Sequence, residues 1–174
     1  MKKLCLAVLA VFCLCVMSAA SDNDDVVILR ASLHGANEVP AINSDGTASF
    51  KATIHPDGSI DFKVTFANLT SNLLVSHIHF GKVHVAGGVM IFLCGGDSQP
   101  ACPAATSGEF SGTITAANVT GPTGQGITAG DLASALRAIG QHAGYANMHT
   151  VRFPGGELRG QITTRRNDDD HDDE

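Results

Sequence analysis

The chain has 174 residues and a formal net charge of −6, from 11 Lys and Arg against 17 Asp and Glu. An acidic chain without a basic patch argues against a nucleic-acid partner, and its length indicates one domain with a single core. Nine acidic residues lie near the two ends and leave the central part nearly neutral: Asp22, Asp24, Asp25, Asp168, Asp169, Asp170, Asp172, Asp173 and Glu174.

The first 20 residues have the pattern of a secretory signal peptide. Met1-Lys2-Lys3 is basic, residues 4–17 are apolar, and Ser18-Ala19-Ala20 supplies the small residues of a cleavage site. The apolar run is shorter than the about 20 residues of a membrane-spanning helix. We therefore predict cleavage after Ala20, no membrane span after signal removal, and a secreted protein, extracellular or periplasmic. Residues 21–27 are predicted to be an acidic linker.

Signal removal leaves two of the five cysteines, Cys94 and Cys102. An even pair in an exported chain predicts one disulfide that closes a short loop. A redox pair is disfavoured because these cysteines do not have Cys-x-x-Cys spacing.

Alternation of apolar and polar residues predicts strands through most of the chain. Residues 46–54 and 60–66 alternate on either side of His55-Pro56-Asp57-Gly58, a turn sequence that predicts a hairpin. The other predicted strands are 26–33, 73–81, 89–93, 110–116, 145–150 and 157–163. In the last of these, Leu158 and Ile162 are predicted to be buried, and Glu157, Arg159 and Gln161 to be exposed.

One helix is predicted, over residues 132–139. Thr128-Ala129-Gly130-Asp131 resembles a capping box before it, and Gly140 ends it. Seven or eight short strands with glycine-rich turns and one helix predict an all-β fold, an antiparallel Greek-key sandwich or flattened barrel over residues 28–164. The acidic tail, 165–174, is predicted to be disordered; weak metal binding by its Asp residues and His171 is the alternative.

Two histidines one residue apart, His77 and His79, lie on a predicted strand and therefore point to the same face. His149 lies on a later predicted strand. Imidazole is a ligand for copper and zinc, so the three form a candidate metal site, with His34 or His84 as a fourth ligand. The alternative is that His77 and His79 bind loop backbone and fix the strand.

Glu38 and Arg159 form a second candidate pair. A direct ion pair between them would connect the first loop to the closing strand; the alternative is a general-base role for Glu38 or Glu157. The sequence contains no nucleophile signature and no phosphate-binding loop. Asn68-Leu69-Thr70 and Asn118-Val119-Thr120 match the glycosylation pattern, which applies at Asn68 and Asn118 only in a eukaryotic host.

Several motifs in order resemble the CHRD (chordin-type) domain. They are Leu33-His34-Gly35-Ala36-Asn37-Glu38-Val39-Pro40, His77-Ile78-His79-Phe80-Gly81, residues 89–94, residues 145–150, and Pro154-Gly155-Gly156-Glu157-Leu158-Arg159-Gly160-Gln161. The resemblance covers about residues 28–163. It implies an extracellular all-β domain and, as the leading hypothesis, a binding or matrix module without turnover. Such a module requires no cofactor, and its partner is an unknown extracellular ligand or matrix component.

The His-x-His motif is also similar, more weakly, to the copper-ligating strand of copper-zinc superoxide dismutases. In that resemblance His149 takes the part of the late copper ligand. The long zinc loop of those enzymes has no counterpart, since only His84 follows the pair closely. The resemblance implies the alternative function, an extracellular protein that binds copper or zinc, with superoxide dismutase-like redox chemistry.

Overall fold

The computed structural model describes residues 26–96 and 99–166. The described part contains one α-helix, α1 (Leu132–Gly140), and short 3-10 turns at Gly35–Asn37, Ala116–Asn118 and Thr123–Gln125. Its nine strands are β1 (Val27–His34), β2 (Thr47–Ile54), β3 (Ile60–Ala67), β4 (Leu73–Phe80), β5 (Gly88–Cys94), β6 (Gly108–Ile114), β7 (Gly144–Thr150), β8 (Leu158–Gln161) and β9 (Thr163–Arg166).

All strands belong to one antiparallel sheet in the order β5-β4-β7-β8-β1-β2-β3-β6, and β9 pairs with β1. The sheet curls into a nearly closed barrel, and a bridge from Ile91 to Val119 links β5 to the segment that follows β6. When β6 and β5 are taken as neighbours in the barrel, the β3–β4 connection skips β6 and β5, and the β6–β7 connection skips β5 and β4. This is a Greek-key pattern. The predicted all-β, barrel-like fold with one helix is confirmed.

The alternating strands bury one face and expose the other. On β2, Phe50 and Ala52 are buried while Ser49 and Lys51 are exposed, and β3 repeats the pattern with Phe62. Burial of an aromatic or branched side chain contributes about 1.5–3 kcal/mol. Residues of α1 join this core from the long β6–β7 connection. The hairpin predicted around residues 55–58 is confirmed, with β2 and β3 in continuous register.

Two local predictions were wrong in detail. The segment 157–163 is not one strand, because strand pairing is interrupted at Ile162. This residue is fully buried and donates its N–H to the carbonyl of Gly144. The helix cap is Asp131 rather than Thr128, since the Asp131 carboxylate accepts the N–H of Ser134 at 2.9 Å. A side-chain acceptor at this position satisfies a backbone donor of the first turn.

The predicted disulfide is confirmed. Cys94 at the end of β5 is bonded to Cys102, and their Cα atoms lie 4.9 Å apart. The bridge closes the loop in which the N–H of Gly95 donates to the carbonyl of Pro100 at 2.7 Å.

The predicted signal peptide, 1–20, lies outside the described residues, as do most of the linker 21–27 and of the tail 165–174. β1 begins at the last linker residue, and β9 extends to Arg166, two residues into the predicted tail. Within the described ranges, no helix has the length and apolar character needed to span a bilayer.

Candidate metal centre

The register of β4 and β7 brings three histidines together on the outer face of the sheet. His77 is opposite Asn147, His79 is opposite Tyr145, and His149 is opposite Val75. His149 is therefore the diagonal neighbour of His77, within side-chain reach across the strands.

The three rings form one compact group. The ring centroid of His77 lies 4.6 Å from that of His79 and 4.5 Å from that of His149. One ring nitrogen from each residue lies within 4.8 Å of the other two. Relative exposures are 6%, 9% and 8%, so the group is nearly covered. The structure thus brings together the three histidines that the sequence singled out.

Backbone carbonyls determine which ring nitrogen carries the proton in His79 and in His149. The Nδ1 atoms of His79 and His149 each lie 2.8 Å from a carbonyl oxygen, that of Gly87 and of Pro154 respectively. A carbonyl oxygen only accepts, so each Nδ1 carries the proton and each Nε2 has a free lone pair. His79 Nε2 then accepts from Nδ1 of His77 at 2.8 Å. Within the described part of the chain, the buried Nε2 of His149 has no hydrogen-bond partner.

Burial keeps the three imidazoles neutral. It lowers the pKa of His77 to about 3, helped by the neighbouring His79 and His149. It lowers the pKa of His79 to about 4 against the opposing effect of the Gly87 carbonyl. The pKa of His149 is also lowered, chiefly by burial. At neutral pH all three rings are in the uncharged form that binds metals.

The loop of residues 81–87 covers one side of this group. Gly87 accepts from His79, and its N–H donates to the Tyr145 hydroxyl at 3.2 Å. The Tyr145 ring stacks on His79 with 4.8 Å between centroids. A Cβ on Gly87 would overlap the carbonyl oxygen of Phe80, so this close approach requires glycine.

Arg159 of β8 holds the same loop in place. Its guanidinium lies 3.5 Å from the centroid of the Tyr145 ring and donates to the carbonyls of Lys82 and Val85, at 2.8 and 3.0 Å. Arg159 is only 3% exposed. A cation held over an aromatic ring and by two carbonyls is a positioning element for the loop.

The direct ion pair expected between Glu38 and Arg159 is replaced by other contacts. Asn147 Nδ2 donates to Oε1 of Glu38 and to the carbonyl of Leu158. Burial raises the pKa of Glu38, against the lowering effects of the Asn147 bond and of the Arg159 charge acting through space. Asn147 thus links the first loop to β8.

Glu157 is fully buried, which corrects the expectation that Glu157, Arg159 and Gln161 form an exposed face. Its carboxylate accepts from the N–H of Thr70 at 2.9 Å and from three hydroxyls, those of Ser44, Thr70 and Thr150. Burial raises the pKa of Glu157, but these bonds together outweigh it, and the pKa is lowered. The segments that carry Ser44 and Thr70, together with Thr150 of β7, enclose Glu157, whereas the loop 81–87 covers Arg159.

His34 does not join the group. It is exposed and lies in the same register row as His77, in the order His77, Asn147, Arg159, His34 across β4, β7, β8 and β1. Three strand spacings separate the two histidines, or about 14 Å. His84 lies in the covering loop with a φ of 61° and is outside the group of three.

The two predicted glycosylation positions differ in access. Asn68 is exposed at the end of β3. Asn118 is buried, and its Oδ1 accepts from the N–H of Thr115 at 2.7 Å.

Sequence reasoning missed the backbone carbonyls that orient the rings. The only indication of this loop in the sequence is the pair of glycines at its ends, Gly81 and Gly87. A Cβ at Gly81 would lie 2.6 Å from the carbonyl oxygen of Val85, so this position also favours glycine.

The model of one protein family, described as the CHRD domain, matches residues 29–162. No curated protein and no solved structure matches the chain.

Proposed function

The chain belongs to the CHRD family, a family of extracellular binding-module type, and from this premise we propose that it binds a copper or zinc ion at His77, His79 and His149. An extracellular module of this kind works by binding, without turnover. Its disulfide is consistent with an oxidising compartment.

The observation that carries the proposal is the Nε2 atom of His149. It is buried and lacks a partner among the described residues, while its lone pair lies beside two other imidazoles. A buried polar atom without a partner costs about 1–3 kcal/mol. A metal ion bound to this lone pair removes the cost.

The donor set fits copper or zinc. Nitrogen atoms bound to one tetrahedral ion at 2.0–2.1 Å lie about 3.3 Å apart. The 2.8 Å contact between His77 and His79 has to widen by about 0.5 Å, and the proton on Nδ1 of His77 has to move to Nε2 of the same ring. The remaining separations, all within 4.8 Å, have to narrow by at most about 1.5 Å. The carbonyls of Gly87 and Pro154 are the outer-shell acceptors that metal-binding histidines use.

Three histidines leave a position on the ion for water or another ligand, which is typical of accessible sites rather than closed structural ones. The carboxylates considered as general bases have other roles. Glu38 accepts from Asn147, and Glu157 is occupied by donors from Ser44, Thr70 and Thr150. These contacts support binding rather than catalysis.

The test is metal titration of the full exported chain, purified without a polyhistidine tag. Calorimetry and elemental analysis with copper and zinc should give one equivalent, abolished in His77→Ala and in His149→Ala. His34→Ala and His171→Ala are the matched controls and should retain it. The EPR spectrum of the copper(II) form should show coupling to imidazole nitrogens. Absence of stoichiometric binding, or loss of binding only in His171→Ala, would overturn the proposal.

A further inference from the structure

A row of cations crosses the outer face of the barrel away from the histidines. Arg30 on β1 is directly opposite Lys51 on β2, which is directly opposite Lys63 on β3. Lys63 is neutralised by Glu109 at 2.8 Å. Within the described ranges, no carboxylate pairs with Arg30 or Lys51. Like charges directly opposite each other weaken a sheet, so this row is unfavourable for folding in a chain that is otherwise acidic.

A groove of about 520 Å³ runs along the two unpaired cations. Besides these cations, its polar lining consists of three hydroxyl side chains and one amide, from Ser32, Ser49, Thr163 and Gln161. The hydroxyl side chains are exposed, and Ser32 faces Ser49 in the row next to Arg30 and Lys51. The groove therefore offers positive charge and hydroxyl groups together.

Gln161 adds a fixed acceptor at the edge of the groove. Its Nε2 donates to the carbonyls of Gly81 and His142, both at 3.0 Å, which holds the amide in one orientation. Its Oε1 is buried and lacks a hydrogen-bond partner among the described residues. A ligand that satisfies this atom has to carry a hydrogen-bond donor.

We propose that this groove binds a strand of acidic polysaccharide. Carboxylate or sulfate groups of the sugar chain lie against Arg30 and Lys51. Sugar hydroxyls donate to Gln161 Oε1 and exchange hydrogen bonds with Ser32, Ser49 and Thr163. A polyanion without any hydrogen-bond donor satisfies the charges and leaves Gln161 unpartnered. This site is separate from the histidine group and does not depend on the metal.

The experiment uses the full chain in affinity electrophoresis and calorimetry with four polymers. Polygalacturonate and dextran sulfate test the carboxylate and sulfate forms, neutral dextran tests sugar without charge, and polyacrylate tests charge without any hydrogen-bond donor. We expect one or both acidic polysaccharides to bind, with a Kd that rises with salt. Dextran should not bind, and polyacrylate should bind more weakly than the acidic polysaccharides.

The double variant Arg30→Ala, Lys51→Ala should raise the Kd about tenfold, the effect of losing two exposed charge contacts. Arg137→Ala, Arg152→Ala carries the same charge change at exposed positions outside the groove and should not alter the Kd. Gln161→Met should weaken polysaccharide binding and leave polyacrylate binding unchanged. No binding of either polysaccharide, equal losses of affinity in the two double variants, or polyacrylate binding as tight as that of the acidic polysaccharides would each overturn the proposal.

Discussion

The carbonyl oxygen of Gly87 lies 2.8 Å from Nδ1 of His79, so one peptide group in a surface loop decides which nitrogen of His79 faces the other histidines. The same residue donates its N–H to Tyr145, whose ring stacks on His79. Loop conformation and the orientation of the His79 ring are therefore coupled through Gly87.

Gly87→Ala should weaken metal binding. The added Cβ overlaps the carbonyl oxygen of Phe80, so the loop must move and His79 loses its acceptor. Loss of such an outer-shell partner typically costs 10–100-fold in affinity, and the steric conflict about 1–3 kcal/mol of stability. Metal titration and urea unfolding measure the two effects.

Gly124→Ala is the matched control, because a Cβ there meets nothing within 4 Å. It should leave both quantities unchanged. Equal behaviour of the two variants would show that the loop does not position His79.

Asn147→Asp should destabilise the domain strongly, although the two side chains have the same shape. The amide nitrogen donates to both Glu38 and the carbonyl of Leu158. A carboxylate cannot donate, and it would face a second buried carboxyl group. We expect a loss of about 3 kcal/mol or more in the free energy of unfolding at pH 7.

Urea denaturation compares this variant with Asn72→Asp, which makes the same charge change at an exposed position. The free energy of unfolding of this control variant should differ from that of the wild type by less than about 0.5 kcal/mol. Similar effects at both positions would contradict the bridging role of Asn147.

Part of this arrangement follows from local sequence. Period-two alternation placed His77 and His79 on one face, and it gave the β2–β3 hairpin because Phe50 and Phe62 are buried while their neighbours are exposed. The approach of His149 requires the long-range register of β4 and β7, which no local pattern specifies. The prediction that His149 lies on a strand next to that of His77 is correct, but only the structure shows the diagonal contact between the two residues.

The burial of Glu157 and Arg159 was not accessible to the same reasoning. Alternation predicts which residues avoid the main core, and it does not say what covers the other face. The loop 81–87 covers Arg159, and the segments that carry Ser44 and Thr70 enclose Glu157. His34 illustrates the opposite error: it has the right residue type and the right face, but it lies three strands from His77.

Removal of the disulfide by Cys94→Ser with Cys102→Ser should lower the free energy of unfolding by about 2–3 kcal/mol. The bridge closes a loop with a sequence separation of 8, and the loop-entropy estimate gives that amount. Thermal unfolding of the double variant is compared with that of the wild type under oxidising and reducing conditions. The wild type should lose stability in reductant and the variant should not. A variant as stable as the oxidised wild type would contradict this assignment.

Glu157→Gln should reduce stability in a pH-dependent way. The folded-state pKa of Glu157 lies below its ordinary value of 4.5, so its carboxylate stabilises the fold fully above that value. The contribution is lost as the pH falls through the folded-state pKa. The glutamine variant lacks this contribution at every pH, and the lost charged hydrogen bonds correspond to about 2–3 kcal/mol at pH 7.

Urea unfolding of wild type and Glu157→Gln from pH 7 to pH 3 measures this difference, which should be constant above about pH 5 and shrink below 4.5. Glu109→Gln, which removes an exposed contact with Lys63, should change stability by less than about 1 kcal/mol at pH 7. A difference for Glu157→Gln that stays constant down to pH 3 would mean that the carboxylate is not held in its charged form. The bonds from Ser44, Thr70 and Thr150 would then have to be reassigned to a protonated group.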